Sequence, residues 1–182
     1  DAGHFFSPAI DWNREGLEEP FEISEGVVVP PGTYDGWQLA WHAYTNPAAP
    51  VAFETTLDWG AFLSGTRRSH QAFISFRHGS AFSTALRLEY NDINLAQGDF
   101  ITRLAGLRMG YFFTPQIYLQ SLVQYNDQAD NWSANVRFAW LGTAGTGLFV
   151  VYNHADGVDA LSGPINRSLI LKYSRQFTVW GW

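Results

Sequence analysis

The sequence predicts an all-β protein, an antiparallel up-and-down β-barrel of about nine to ten meandering strands. Three observations carry this reading. From Gly36 onward, apolar and polar side chains alternate with period two in short stretches separated by turn residues, and period two is the signature of extended strands. No stretch after residue 35 has the apolar spacing of an ordinary helix. Aromatic residues make up 16% of the chain against 15% for all charged residues together, where a soluble globular domain averages about 25% charged.

The chain divides into an acidic, Pro-rich segment at 1–35 and a β meander at 36–182. Within the first, His4 to Trp12 is a candidate strand, Asn13 to Asp35 reads as irregular, and Val29-Pro-Pro-Gly32 reads as a turn. In the second, Asp35 to Thr45 places Trp37, Leu39, Trp41 and Ala43 on one face and Gln38, Ala40, His42 and Tyr44 on the other. Val51 to Leu63 opposes Val51, Phe53, Thr55, Leu57 and Trp59 to Glu54, Thr56, Asp58 and Gly60. Ser64-Gly65-Thr66 turns the chain into His70 to His78, and His78-Gly79-Ser80 turns it again into Ala81 to Asn91, where Phe82, Thr84, Leu86, Leu88 and Tyr90 face away from Ser83, Ala85, Arg87 and Glu89. A longer loop is expected at Asn91 to Asp99. Phe100 to Phe113 then sets Leu107, Met109, Tyr111 and Phe113 against Gly106, Arg108 and Gly110, and Thr114-Pro115 ends it. Gln116 to Asn126, Trp132 to Leu141, Leu148 to Asn153 and Arg167 to Phe177 complete the set, with a Gly-rich turn at Gly142 to Gly147 and a second long loop at His154 to Asn166.

Composition decides which way the faces point. Seven of the 17 acids fall in the first 25 residues, and from Gly36 onward nine acids meet ten bases, so the meander is almost neutral. A nucleic-acid-binding face, which needs concentrated Lys and Arg, is disfavoured. The alternating polar positions are mostly Ser, Thr, Gln, Asn, Gly and Ala, with Glu54, Asp58, Arg87, Glu89, Arg108, Arg137 and Lys172 scattered among them. Such a set fits the interior of a narrow barrel, its charges paired with one another, better than a hydrated exterior. The apolar faces are then expected to meet lipid or a partner protein. Trp37, Trp59, Tyr90, Tyr111, Tyr125, Trp132 and Trp140 gather near strand ends on that face, joined by Trp41. Indole and phenol rings favour a water–lipid boundary because one end is apolar and the other hydrogen-bonds. Strand lengths and an alternation of short turns with longer loops at 91–99, 126–131 and 154–166 match a membrane barrel. No run reaches 18 apolar residues, so a transmembrane helix is excluded. The chain begins at Asp1, and a leader or a larger N-terminal region is expected to have preceded it.

Chemistry-bearing constellations are sparse. The chain has no cysteine, and its five histidines, His4, His42, His70, His78 and His154, have no metal-ligand spacing on a strand face. Asp92, Asn94 and Asp99 are oxygen ligands that calcium accepts, but Asn and Asp also serve as turn formers, and that reading is preferred. No Gly-x-Ser-x-Gly elbow is present. Glu54 and Asp58 sit four residues apart on one strand, about 13 Å, too far for a retaining carboxylate pair. No catalytic residue, metal or cofactor is expected.

The run Glu19-Pro-Phe-Glu-Ile-Ser-Glu-Gly-Val-Val-Val-Pro-Pro-Gly-Thr-Tyr34 resembles a signature of bacterial outer-membrane proteins that join an N-terminal carbohydrate-binding family 9-like module to a C-terminal β-barrel of unknown function. Tyr90 to Phe100, Leu122-Val-Gln-Tyr-Asn126 leading to Trp132-Ser-Ala-Asn-Val-Arg137, Leu148 to Asn153 and Arg167 to Tyr173 resemble further family segments in order. The resemblance is to the closing part of the larger barrel, without the carbohydrate-binding module. It implies an outer-membrane location and no assigned catalytic residues. Tyr173 and Phe177 resemble the terminal aromatic signal read by the insertion machinery, although Thr178-Val-Trp-Gly-Trp182 follows here where family members end.

The expected role is thus a non-enzymatic membrane-embedded scaffold or narrow pore in the bacterial outer membrane, in contact with lipid and tied to carbohydrate handling. The alternative is a small β-rich accessory subunit docked on a larger membrane complex, such as a photosynthetic or respiratory assembly, from the periplasmic side. A soluble sugar-binding barrel ranks third and a hydrolase last.

Overall fold

A computed structural model describes residues 3–142, 146–157 and 166–175. The strands are β1 (Phe5–Leu17), β2 (Phe21–Ser24), β3 (Val27–Val29), β4 (Gly32–Tyr44), β5 (Val51–Phe62), β6 (Gly65–His78), β7 (Phe82–Leu95), β8 (Gly98–Thr114), β9 (Ile117–Asn126), β10 (Asn131–Leu141), β11 (Gly147–Gly157) and β12 (Asn166–Ser174). Ten of them form one antiparallel up-and-down sheet in the order β1-β4-β5-β6-β7-β8-β9-β10-β11-β12, and β2 pairs with β3 alone. Among the described residues the sheet is not closed: β1 and β12 each have a neighbour on one side only. The chain forms two compact units, one of Asp1–Ile74 with Arg87–Ala105, the other of Ser75–Leu86 with Gly106–Trp182.

Short connections explain the meander, because antiparallel neighbours can be joined by two residues whereas parallel ones need a crossover. Leu63-Ser64 joins β5 to β6, Ala96-Gln97 joins β7 to β8, and Pro115-Gln116 joins β8 to β9. In the last of these, the Thr114 hydroxyl accepts from the backbone N–H groups of Gln116 and Ile117. The Asn126 side chain likewise accepts from Gln128 and Ala129 N–H in the β9–β10 turn, an Asx motif that stands in for a backbone turn.

Three segments differ from the sequence reading, for one physical reason. Asn13 to Asp35 is not irregular: β1 continues to Leu17 in unbroken register with β4, from Phe5 opposite Tyr44 to Leu17 opposite Gly32. Phe21–Ser24 and Val27–Val29 then form a hairpin around Gly26, whose φ of 74° suits glycine. Its N–H donates to Glu22 Oε1 at 2.9 Å. Asn91 to Asp99 is not a long loop: β7 runs on to Leu95 and β8 starts at Gly98. β11 likewise extends past Asn153 to Gly157, paired with β10 as far as Asn131. In each case the strand outlives its alternation. Where it leaves the apolar band the faces change character: Asn13-Arg-Glu-Gly is polar on both, and in Asn91-Asp-Ile-Asn-Leu95 the buried Ile93 and Leu95 take the side of Glu89 and Asn91, so the period-two pattern is broken or inverted while the backbone ladder continues. The expected contrast between short turns and a long 91–99 loop therefore does not hold.

Gly65, expected in a turn, already belongs to β6. A Cβ there would lie 2.0 Å from the Asn94 carbonyl oxygen, so the close backbone approach requires glycine.

The small sealed core sits in the first unit. Val27, Val29, Ile93 and Leu95 form a buried cluster, flanked by Leu17, Ile23, Tyr34, Phe62, Leu63 and Phe100. The β2–β3 hairpin and the end of the β7–β8 hairpin thus cover each other. Val29 is fully buried whereas Val28 is 44% exposed. Val29→Ala is expected to lower unfolding stability by about 2 kcal/mol, transfer and cavity terms together, and Val28→Ala to change it by a few tenths. Urea unfolding of the two variants checks this, and equal losses would contradict the cluster.

Candidate functional site

The register aligns like with like across strands, so each face is continuous. In the first unit, Ile10 stands opposite Leu39 and Trp12 opposite Trp37, while Leu39 continues to Trp59 and Trp41 to Leu57. The other face runs Asp11–Gln38–Gly60 and Ser7–His42–Thr56. Directly opposed residues share a face, which yields an apolar sheet surface and a polar one. The apolar one is the more open: Trp37 is 61% and Trp59 58% exposed, while Gln38, Ala40 and Asp58 on the polar face are half-buried. Trp12 and Trp37 meet edge-to-face, 5.1 Å between centroids. The next pair along the same face is Arg14 and Asp35, joined at 2.9 Å. The apolar band therefore ends in a tryptophan pair followed by an ion pair. Both charged groups are exposed, so the pair contributes little to stability and chiefly marks where the band stops.

The second unit repeats the pattern. Tyr125–Trp132, Val123–Ala134, Leu119–Phe138 and Ile117–Trp140 oppose one another across β9 and β10. Val136–Tyr152–Leu169, Phe138–Val150–Leu171 and Trp140–Leu148–Tyr173 continue across β11 and β12. Leu171 is 69% exposed. Tyr111, also on the apolar side, packs edge-to-face on Phe113 at 4.8 Å, and the Arg103 guanidinium lies 5.8 Å from the Tyr90 ring centroid in the first unit. Among the described residues only six apolar side chains are buried, and four of these are the cluster above.

The polar face is a hydrogen-bonded surface rather than a set of carboxylate–guanidinium pairs. Glu54 Oε1 meets His42 Nε2 at 2.8 Å across β4 and β5, and Glu54 shares with Arg87 an open cleft of about 210 Å³. Asp58 stands opposite Ala40. Glu89 accepts from Asn91 at 3.3 Å, and Asn91 also donates to the Thr102 hydroxyl at 3.0 Å. Asn13 donates to the Gln38 side-chain oxygen. In the second unit Asn135 donates to Asn153 Oδ1, and Asn153 donates to the Ser168 hydroxyl at 3.0 Å, a ladder across three strands at one register level. Arg108 and Arg137 line one cleft, and Lys172 stands opposite Phe149. Of the expected interior charges, then, Glu54 and Arg87 come together, as do Arg108 and Arg137, while Asp58, Glu89 and Lys172 stand apart. Mutual ion pairing among them is not found: among the described residues Glu54 pairs with a histidine, and the two arginines that line one cleft carry like charge.

Sequence reasoning missed His42 as the partner of Glu54, and the Asn135–Asn153–Ser168 ladder. The signal for the ladder was available only once register was known, since three polar residues on three strands are unremarkable until placed opposite one another. His154 was also missed. It is buried against Trp132, with 4.3 Å between ring centroids, and Nδ1 accepts from Arg167 Nε at 3.1 Å. Asp92 accepts from Asn94 at 3.1 Å, and Asp99 is exposed. Among the described residues no group of three or more His, Asp or Glu side chains is arranged to hold a metal ion. Phe177 of the insertion-signal-like pair lies outside the described residues, and Tyr173 is exposed opposite Leu148.

No protein-family model, curated protein or solved structure matches the chain.

Asn153→Ala removes both rungs of the ladder and leaves Asn135 and Ser168 without their partner. A stability loss of about 1–3 kcal/mol is expected, against a few tenths for Gln116→Ala at the exposed β8–β9 turn. Thermal unfolding of both variants in detergent checks the difference.

Proposed function

We propose that the chain forms a membrane-embedded β-sheet wall, part or all of a non-enzymatic bacterial outer-membrane barrel that acts as a scaffold or narrow pore. The observation that supports this reading is the continuous apolar surface whose indole and aliphatic side chains are left open by the protein itself. Each such side chain left in water forgoes about 1.5–3 kcal/mol of burial, and contiguous exposed apolar patches on soluble monomers rarely exceed a few hundred Å². Lipid removes that penalty. The edge of the surface supports the same reading, since the order apolar band, Trp12 with Trp37, then Arg14 with Asp35 is the order in which hydrocarbon, interface and water follow one another. From Trp132 to Trp140 the strand rises about 27 Å, or about 20 Å along the normal at a tilt of roughly 40°, close to the roughly 25 Å apolar band of outer-membrane barrels.

A bilayer tolerates no unpaired sheet edge, so this reading requires that β1 and β12 be paired, by closure or by further strands. The tie to carbohydrate handling rests on the sequence resemblance alone. The same open edges favour a second reading, an accessory subunit whose apolar face and edges are covered by a larger membrane complex. Stoichiometric co-purification with such a complex would select it.

Two experiments test the leading reading. Membranes containing the chain, washed with carbonate at high pH, should retain it in the pellet, and release into the wash would overturn the integral placement. Val136→Arg, at the middle of the apolar face, should cost about 2–4 kcal/mol of folding into bilayers, whereas Ser133→Arg on the polar face should cost far less. The opposite ranking would place the faces the other way round.

A further inference from the structure

We infer that the polar face of the Ser75–Leu86 and Gly106–Trp182 unit carries a binding site for a small oxyanion, a solute bearing phosphate or carboxylate groups, built on Arg108 and Arg137. The two arginines line one open cleft of about 250 Å³ together with Ser83, Gln120, Ser121 and Asn135. Arg137 stands opposite Gln120 on β9 and Val151 on β11, and its guanidinium lies 5.3 Å from the Phe149 ring centroid. Stacking on an aromatic ring orients the guanidinium plane and leaves its N–H edge for a forked contact with two oxygens. Lys172, opposite Phe149, adds a third cation to the same face.

The charge distribution points to the ligand class. The carboxylates described in this unit are Asp127 and Asp130 in the β9–β10 turn and Asp156, which stands opposite Trp132 on the apolar side. None shares the face with Arg108, Arg137 and Lys172, and among the described residues neither arginine has an ion-pair partner. The polar face of the other unit, by contrast, carries Asp11, Glu15, Glu54, Asp58 and Glu89, and its Arg87 shares a cleft with Glu54. Two guanidiniums brought to one cleft without a carboxylate repel each other, more strongly as water is excluded. An oxyanion held between them reverses the sign of that interaction, and the Gln120, Asn135 and Ser83 side chains supply neutral donors around it. Uncompensated Arg and Lys on pore walls are how anion and phosphate pathways select their solutes.

This inference does not depend on the bilayer reading, because the cleft is present in the isolated chain. The test is calorimetric titration of the detergent-solubilised full chain with inorganic pyrophosphate, beside a neutral disaccharide. Saturable pyrophosphate binding is expected, weakened at least tenfold by Arg108→Gln and by Arg137→Gln. Arg137→Lys, which keeps the charge and loses the fork, should fall between wild type and Arg137→Gln, and Arg68→Gln in the other unit should match wild type. Three results would overturn the site: no saturable binding by wild type, binding that neither Gln substitution changes, or equal binding of the neutral disaccharide. Any of them would leave the membrane placement standing.

Discussion

Cross-strand register is the constraint on which the rest of this protein depends. The pairings of β1, β4 and β5 and of β10, β11 and β12 line up apolar rows such as Ile10, Leu39 and Trp59, and Val136, Tyr152 and Leu169, with exceptions such as Arg137 opposite Val151 and Lys172 opposite Phe149. A slip of one residue would scatter these rows between the two faces, because side chains alternate with period two. Within each unit the apolar rows run from strand to strand, and many of their described side chains, Trp37, Trp59 and Leu171 among them, are exposed. Exposed apolar rows of this kind are what the proposed bilayer or partner protein would cover.

The distribution of core and network follows. The sealed hydrophobic cluster of the first unit, Val27, Val29, Ile93 and Leu95, lies where strands overrun the apolar band. Elsewhere the polar face takes over the structural role that a core usually has. The His42–Glu54 contact and the Asn135–Asn153–Ser168 ladder tie neighbouring strands side chain to side chain. Hydrogen bonds of this kind are individually modest in water and gain strength where water is excluded. Charge differs between the polar faces of the two units: carboxylates outnumber arginines in the first, where Arg87 shares a cleft with Glu54, while Arg108, Arg137 and Lys172 share theirs with no described carboxylate.

Much of this was legible in the residues. Alternation located the strands from β4 to β12 within a few positions, and the composition of the two faces separated Trp37, Trp59 and Trp140 from Gln38, Asp58 and Arg137 before any geometry was known. What escaped did so for a physical reason. Alternation reports the contrast between two environments, and beyond the apolar band that contrast is lost in Asn13-Arg-Glu-Gly and changes sides in Asn91-Asp-Ile-Asn-Leu95, so both read as loops although both are paired strand. The β2–β3 hairpin, with strands of four and three residues, is too short to establish a period. The meeting of Arg108 with Arg137 depends on register across several strands, which single-strand patterns do not encode. Closure is equally beyond a local signal, and the open edges at β1 and β12 emerged only from the pairing order.

The outward orientation of the apolar face is most directly measured by placing nitroxide labels one at a time along β4, from Trp37 to His42, in the chain reconstituted into lipid bilayers. Collision rates with oxygen, which concentrates in hydrocarbon, should peak at positions 37, 39 and 41. Rates with a water-soluble nickel complex should peak, if anywhere, at 38, 40 and 42. Oxygen maxima at 38, 40 and 42, or uniformly high nickel access at all six positions, would contradict the account.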